Sequence, residues 1–223
     1  MRHSLHSTAV AASGRPPFVG YRPHTTVSDC MPAELCKQRK CYDGCQELKL
    51  TDMAENKISL REAASDDALH IARLHTRSWQ LAYSHILPAA YLLEKVPAEH
   101  IAHWKNYMAQ PAKARGLVML AECKGVPVGF VRAENVDDSS YGILLDCLHV
   151  LATHQGCGAG KLMIDAVRRW TRKQNQNLMH LYVLEGNLRA IAFYERNGWR
   201  FEGTKASFID TTPVIDHRYL MEV

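Results

Sequence analysis

From residue 57 onward the sequence predicts an α/β (α+β) fold, one domain over 57–223 in which short strands and amphipathic helices follow one another. Three observations predict it. Short apolar segments with strand character recur, and two of them are joined by a Gly-Pro-containing turn. Other stretches carry apolar residues at helical spacing. Between a longer strand and a helix with one apolar stripe lies a turn with three glycines in five residues.

The elements follow in order. Ile58-Ser59-Leu60-Arg61 alternates like a strand. Ser65-Asp66-Asp67 offers a helix cap, with Leu69, Ala72, Leu74 and Trp79 as the apolar positions behind it. Pro88 can start a further helical turn, and 98–108 reads as another helix. Segments 117–123 and 128–134 read as strands joined by Lys124-Gly125-Val126-Pro127, a hairpin signal. A longer strand runs over 141–151. Beyond the glycine turn, Ala159, Leu162, Met163, Ala166, Val167 and Trp170 form one apolar stripe. Residues 178–183 read as a strand, and Ala190, Ile191, Phe193 and Tyr194 fall on a short helix closed by Asn197-Gly198. Two strand-like segments end the chain, and no internal repeat is visible.

Residues 1–56 differ. The first 28 contain Arg2, Arg15 and Arg22 but no acid, and they lack a sustained apolar period. They read as a disordered extension, with Met53 as the natural start of the folded part. A transit peptide and a metal site are the competing readings. Cys30, Cys36, Cys41 and Cys45 are spaced C-x5-C-x4-C-x3-C, without the short C-x2-C pairs that close zinc knuckles, so no metal is expected. Cys123, Cys147 and Cys157 have no nearby partner in sequence and read as reduced thiols of a cytoplasmic protein. The net charge of +4 is mild and its basic residues are scattered, so no nucleic acid is expected. No apolar run approaches a membrane span.

The turn Gln155-Gly156-Cys157-Gly158-Ala159-Gly160-Lys161 is a physical anion site. Glycines allow close backbone approach, unpaired N–H groups point outward, and the helix dipole adds a favourable field. The bland alternative is an ordinary strand-to-helix connection. A Walker A loop fails, because it would need Gly at Gln155 and Ser or Thr at Leu162. A G-x-G-x-x-G fingerprint fails at Lys161 or Met163. Glu185 sits where a ribose-binding acid could, but too few βα units follow for a doubly wound sheet.

Gln155-x-x-Gly158-x-Gly160 resembles the Q/R-x-x-G-x-G/A acetyl-CoA signature of the GNAT superfamily. Asn187-x-x-Ala190-x-x-Phe193-Tyr194-x-x-x-Gly198-Trp199 resembles a second motif of that family, and Trp79 to Pro88 resembles the acceptor-side region of a common bacterial branch. The resemblance extends over 58–223 and implies a central mixed twisted sheet of about six to seven strands flanked by helices. It also implies acetyl transfer from acetyl-CoA to a primary amine of a small molecule or a protein. The cofactor-side residues it implies are Leu148, His149, Val150, Gln155, Gly156, Cys157, Gly158, Ala159, Gly160, Lys161, Asn187 and Tyr194.

Within that implied reaction, Tyr194 is the candidate general acid for the leaving thiolate, its plain alternative being a core aromatic. Backbone N–H groups of the strand ending at Val150 would stabilise the oxyanion. The base is less legible. Many relatives carry Glu four residues before Leu148, where this chain has Leu144. Period-two alternation places Asp146 on one face with Leu144, Leu148 and Val150, and His149 on the other, so Asp146 is the candidate, with Glu134 second. The departure at 144 keeps a non-catalytic acyl-CoA sensor as the alternative function. Tyr83, Trp79, His85 and Trp104 lie where relatives form the substrate wall, though at helical spacing such rings are commonly core. The polar segment 209–218 reads as a hairpin turn with solvated charges. A homodimer fits the family.

Overall fold

The computed structural model describes residues 57–136 and 140–223; the readings made above for residues 1–56 lie outside the described residues. Lys57–Val223 belong to one compact unit. The described residues contain a seven-stranded sheet of β1 (Ile58–Glu62), β2 (Leu117–Cys123), β3 (Val126–Glu134), β4 (Ile143–Val150), β5 (Leu178–Leu184), β6 (Arg200–Ile209) and β7 (Thr212–Glu222). Their spatial order is β1-β2-β3-β4-β5-β7-β6. Only β4 and β5 run parallel; every other pair is antiparallel. The helices are α1 (Ala68–Ala82), α2 (Val96–Met108), α3 (Ala159–Lys173) and α4 (Leu188–Arg196).

The helices flank the sheet on both faces because each carries one apolar stripe. In α3, Met163, Ile164 and Val167 are buried against Ile143, Leu145, Met179 and Leu181, and Tyr194 of α4 joins the same cluster. Each such side chain contributes roughly 1.5–3 kcal/mol by leaving water. In α1, Ala68, Ile71, Ala72 and His75 recur at helical spacing and pack with Trp104 of α2 on Val118, Leu120, Phe130 and Cys147. Tyr91, Leu92 and Val96 form a third cluster with Leu184 of β5 and Val214 of β7.

Three boundaries differ from the expectations. The β2–β3 turn is two residues, Lys124 and Gly125, both with positive φ (52° and 75°), so Val126 and Pro127 already belong to the strand. A π-helical turn, Tyr91–Lys95, leads into α2, which starts before residue 98 because Pro97 is tolerated in a first helical turn. Ser65–Asp67 form a 3-10 turn, and the Asp67 carboxylate accepts the Ala64 N–H and is held by Arg61.

Candidate active site

The parallel pair at the centre of the sheet is joined over a short length. β4 and β5 pair only at Ile143–Met179 and Leu144–His180, then part. From Leu145 to Val150, one edge of β4 therefore faces an opening instead of a neighbour, while its other edge remains paired to β3 as far as Val150. Backbone N–H and C=O groups without a ladder partner demand one.

The glycine turn stands where β4 ends at this opening. Ala152–His154 make a 3-10 turn, and Gln155 Nε2 donates to the Val150 carbonyl at 2.9 Å, tying the loop back to the strand. Gly156 and Gly158 both take left-handed conformations, with φ of 84° and 85°. A Cβ at either would touch nothing within 4 Å, so the space beside them is open. Gly160 is required for a different reason: a Cβ there would lie 2.8 Å from the Phe193 ring of α4. Gly158 starts α3, and the first turn of that helix, including Ala159, Gly160 and Lys161, presents its N–H groups forward. Cys157 is exposed and its thiol donates to the His154 carbonyl at 2.7 Å.

Across the opening, β5 delivers Glu185, Gly186 and Asn187. Asn187 is the N-cap of α4: its Oδ1 accepts the Ala190 N–H at 3.2 Å. Burial pushes the Tyr83 hydroxyl up to about 12, against a smaller opposing influence of the Asn187 side chain. The loop after α1 reaches this point because Gly186 leaves room for it. A Cβ at 186 would stand 2.8 Å from Ile86, and His85 Nε2 lies 3.0 Å from the Gly186 carbonyl. Tyr194 is buried, edge-on to Phe193 and Trp199; burial, then Tyr83, raises its hydroxyl well above the ordinary tyrosine range. The structure thus places Tyr83, at the end of α1, by the start of α4, which carries Asn187 and Tyr194.

Asp146 is placed differently from the expectation. A bulge between Arg132 and Ala133 pairs Cys147 with Arg132 and Leu145 with Ala133, leaving Asp146 as the extra residue of β4. The bulge resets the alternation. Leu148 and Val150 pack with Ile143 and Leu145 toward α3, whereas Cys147 packs toward α1 and α2. Asp146 therefore does not share the face of Leu148 and Val150. Its Oδ2 accepts from Arg132 at 3.0 Å and from the Cys147 thiol at 3.2 Å. Arg132 also pairs with Glu134, the second candidate, and lies 4.1 Å over the Tyr107 ring. Burial opposes the Arg132 charge, but Asp146, Cys147 and Glu134 more than offset it and raise its pKa. Sequence reasoning missed Arg132, whose partners become neighbours only through the bulged register.

A histidine layer, also unforeseen, lies between the sheet and α1–α2. His75 stacks on His100 at 3.8 Å and lies 4.7 Å from the His149 ring. His75, Cys147 and His149 offer donor atoms within 4.8 Å of one another. Trp104 Nε1–H donates to His75 Nδ1 at 3.1 Å, so the proton of neutral His75 sits on Nε2 and leaves no lone pair there for a metal.

Comparison with known proteins gives the family. The acetyltransferase (GNAT) family matches residues 72–199, more than half of the chain. A relative from Bacillus subtilis (strain 168), the uncharacterized N-acetyltransferase YuaI, is 26% identical over 140 residues, 62% of this chain and 78% of its own. PaiA N-acetyltransferase from Thermoplasma acidophilum, solved in complex with coenzyme A, superposes with a TM-score of 0.64 at 18% identity over 75% of this chain and 99% of its own. The putative acetyltransferase yncA from Salmonella typhimurium, solved with acetyl-CoA, superposes with a TM-score of 0.56 at 13% identity over 74% and 94%. The chain belongs to the acetyltransferase (GNAT) family and is an acetyl-transferring enzyme.

Proposed function

We propose that the chain is an N-acetyltransferase that moves an acetyl group from acetyl-CoA directly to a primary amine of a small molecule or a protein, with 57–223 as the transferase domain. The parting of β4 from β5 beside the glycine turn carries this reading. A pantetheine arm pairs with the open edge of β4 at Leu148, His149 and Val150 as an added strand would. The pyrophosphate is held by the N–H groups from Gly156 to Lys161, and the open space beside Gly156 and Gly158 fits that role. Acetyl-CoA supplies the acetyl group activated as a thioester.

In this reading, N–H groups at the end of β4 stabilise the carbonyl oxygen as charge grows on it. Asn187 fixes the start of α4 and, through its charge distribution, acts on the Tyr83 hydroxyl. Tyr194, kept protonated by burial, donates to the leaving thiolate. Asp146, engaged by Arg132 and Cys147, positions the bulge of β4.

The test is free-thiol release from acetyl-CoA with a panel of primary amines, alongside calorimetric binding. Acetyl-CoA binds, thiol release depends on an amine, and Tyr194→Phe lowers turnover about 100-fold with cofactor affinity nearly unchanged. Binding without release for any amine favours a sensor. Stabilisation by NAD but not by acetyl-CoA overturns the reading, and an unchanged rate in Tyr194→Phe removes that residue as the acid.

A further inference from the structure

We propose that Asp216 of β7 is the carboxylate that receives the acceptor amine as its ammonium and takes the first proton from it, an assignment that rests on the acetyl-transfer reading above.

The segment 209–218 does not form an ordinary solvated turn. The β6–β7 turn is confined to Asp210 and Thr211, and Asp216 lies well inside β7, paired with Leu184 of β5 on one side and Lys205 of β6 on the other. It is 5% exposed. Two residues earlier on the same face, Val214 packs in the cluster that holds Leu184, Leu87, Tyr91, Trp79, Tyr83 and Ile86. The carboxylate thus belongs to the apolar wall beneath the loop after α1, three strand positions from the turn that carries Asn187. Behind burial, its charge adds to the raising of the Tyr83 hydroxyl.

An isolated carboxylate in such a wall is costly unless a cation or several donors satisfy it. Ser207 Oγ donates to Oδ2 at 2.6 Å. Among the described residues no Lys, Arg or His side chain stands within ion-pair distance. The charged neighbours are otherwise engaged. Lys205, directly across the ladder, turns toward the Tyr182 ring at 6.0 Å; Arg218 pairs with Glu202; His217 lies 3.5 Å from Glu185; and Lys95 pairs with Asp210. A primary ammonium entering along Trp79 and Tyr83 supplies the missing cation, and its apolar portion suits those rings. The acceptor class this selects is a primary alkyl- or arylalkylamine, or a lysine side chain, presented as a cation.

The proton balance closes. Held against the carboxylate, the ammonium gives one proton to Asp216 as general base. The freed nitrogen lone pair bonds the acetyl carbon as the carbon–sulfur bond breaks. The second nitrogen proton goes to the departing thiolate by way of Tyr194. Asp216 returns its proton to solvent when the amide leaves.

The experiment compares wild type, Asp216→Asn and Lys205→Met, using alkyl- and arylalkylamines and hydroxylamine, which is already neutral at pH 7. Asp216→Asn keeps the Ser207 bond, leaves coenzyme A affinity within about twofold, and weakens calorimetric binding of the amines to the coenzyme A complex at least tenfold. It lowers kcat/KM for the amines about 100-fold but spares hydroxylamine. Lys205→Met behaves as wild type. Equal loss for both kinds of nucleophile, no loss for either, or a Lys205→Met variant that mimics Asp216→Asn overturns the proposal. Wild-type transfer to hydroxylamine but to none of the amines overturns it while acetyl transfer stands. A wild type that fails to bind acetyl-CoA, or binds it and releases no thiol with any nucleophile, removes the underlying reading instead.

Discussion

Arg132 holds the bulge of β4 through two carboxylates and the Tyr107 ring. Its side chain is 10% exposed, so the charge is tolerated only while its partners are in place. Asp146→Asn leaves one neutral acceptor where a carboxylate stood. The expected cost is roughly 1–3 kcal/mol of folding stability, because a charge-assisted hydrogen bond becomes a neutral one and Glu134 keeps its share. Denaturant titration measures that loss, and steady-state kinetics with a good amine check the second half of the expectation, that kcat keeps its pH dependence. Turnover that instead falls by about 100-fold or more, with stability intact, would make Asp146 the base. Glu134 and Asp146 are chemically alike in sequence, and only the register decides that both converge on one guanidinium.

At the scale of elements, the strand–turn–helix unit 143–173 combines two different demands on its three glycines. Gly156 and Gly158 need left-handed backbone, whereas Gly160 needs space against Phe193. Gly158→Ala keeps that space open but forces a side chain into the left-handed region, at roughly 1–2 kcal/mol. It also places a methyl in the open space where the pyrophosphate is proposed to lie. The expected result is a modestly lower melting temperature and at least tenfold weaker coenzyme A binding by calorimetry; equal affinity would move the anion elsewhere. This unit was legible in sequence because each constraint is local: a Gly-rich turn and a helical stripe both act within a few residues. The element order followed from the same signals. The parting of β4 from β5 was not legible, nor was the bulge at Asp146, since both depend on pairing between distant strands. Asp216 was hidden for the same reason. A polar residue near a turn and one inside a strand look identical until the ladder with Leu184 fixes its face.

For the whole molecule, the layer between the sheet and α1–α2 makes stability depend on pH. His75 and His100 are buried and His149 is partly covered. Burial pushes His75 far below its ordinary 6.5, with His149 and His100 adding to the effect. It pushes His100 to about 3 and His149 to about 4. In the unfolded chain all three bind a proton below about 6.5, while the folded chain binds none until much lower pH. The unfolded state therefore holds more protons in that window, and stability falls as pH falls. Above 6.5 both states are neutral at these rings and the contribution is flat. Each ring weakens the fold by up to about 1.4 kcal/mol per pH unit, and the three together by roughly 4 kcal/mol per unit at most. That is a large part of a domain's usual 5–15 kcal/mol. Carboxylates such as Asp67, whose ion pair holds it below its ordinary 3.8, add their losses only at lower pH, so the decline from 6.5 toward 4 belongs to the histidines. The melting temperature is expected to stay level from pH 8 to 6.5 and to drop steeply below 6. In His100→Asn the slope is shallower by about one ring's share. A melting temperature that stays level to pH 5 in the wild type would mean that these rings accept protons in the folded state, and the layer would then be open to water instead of sealed between helices and sheet.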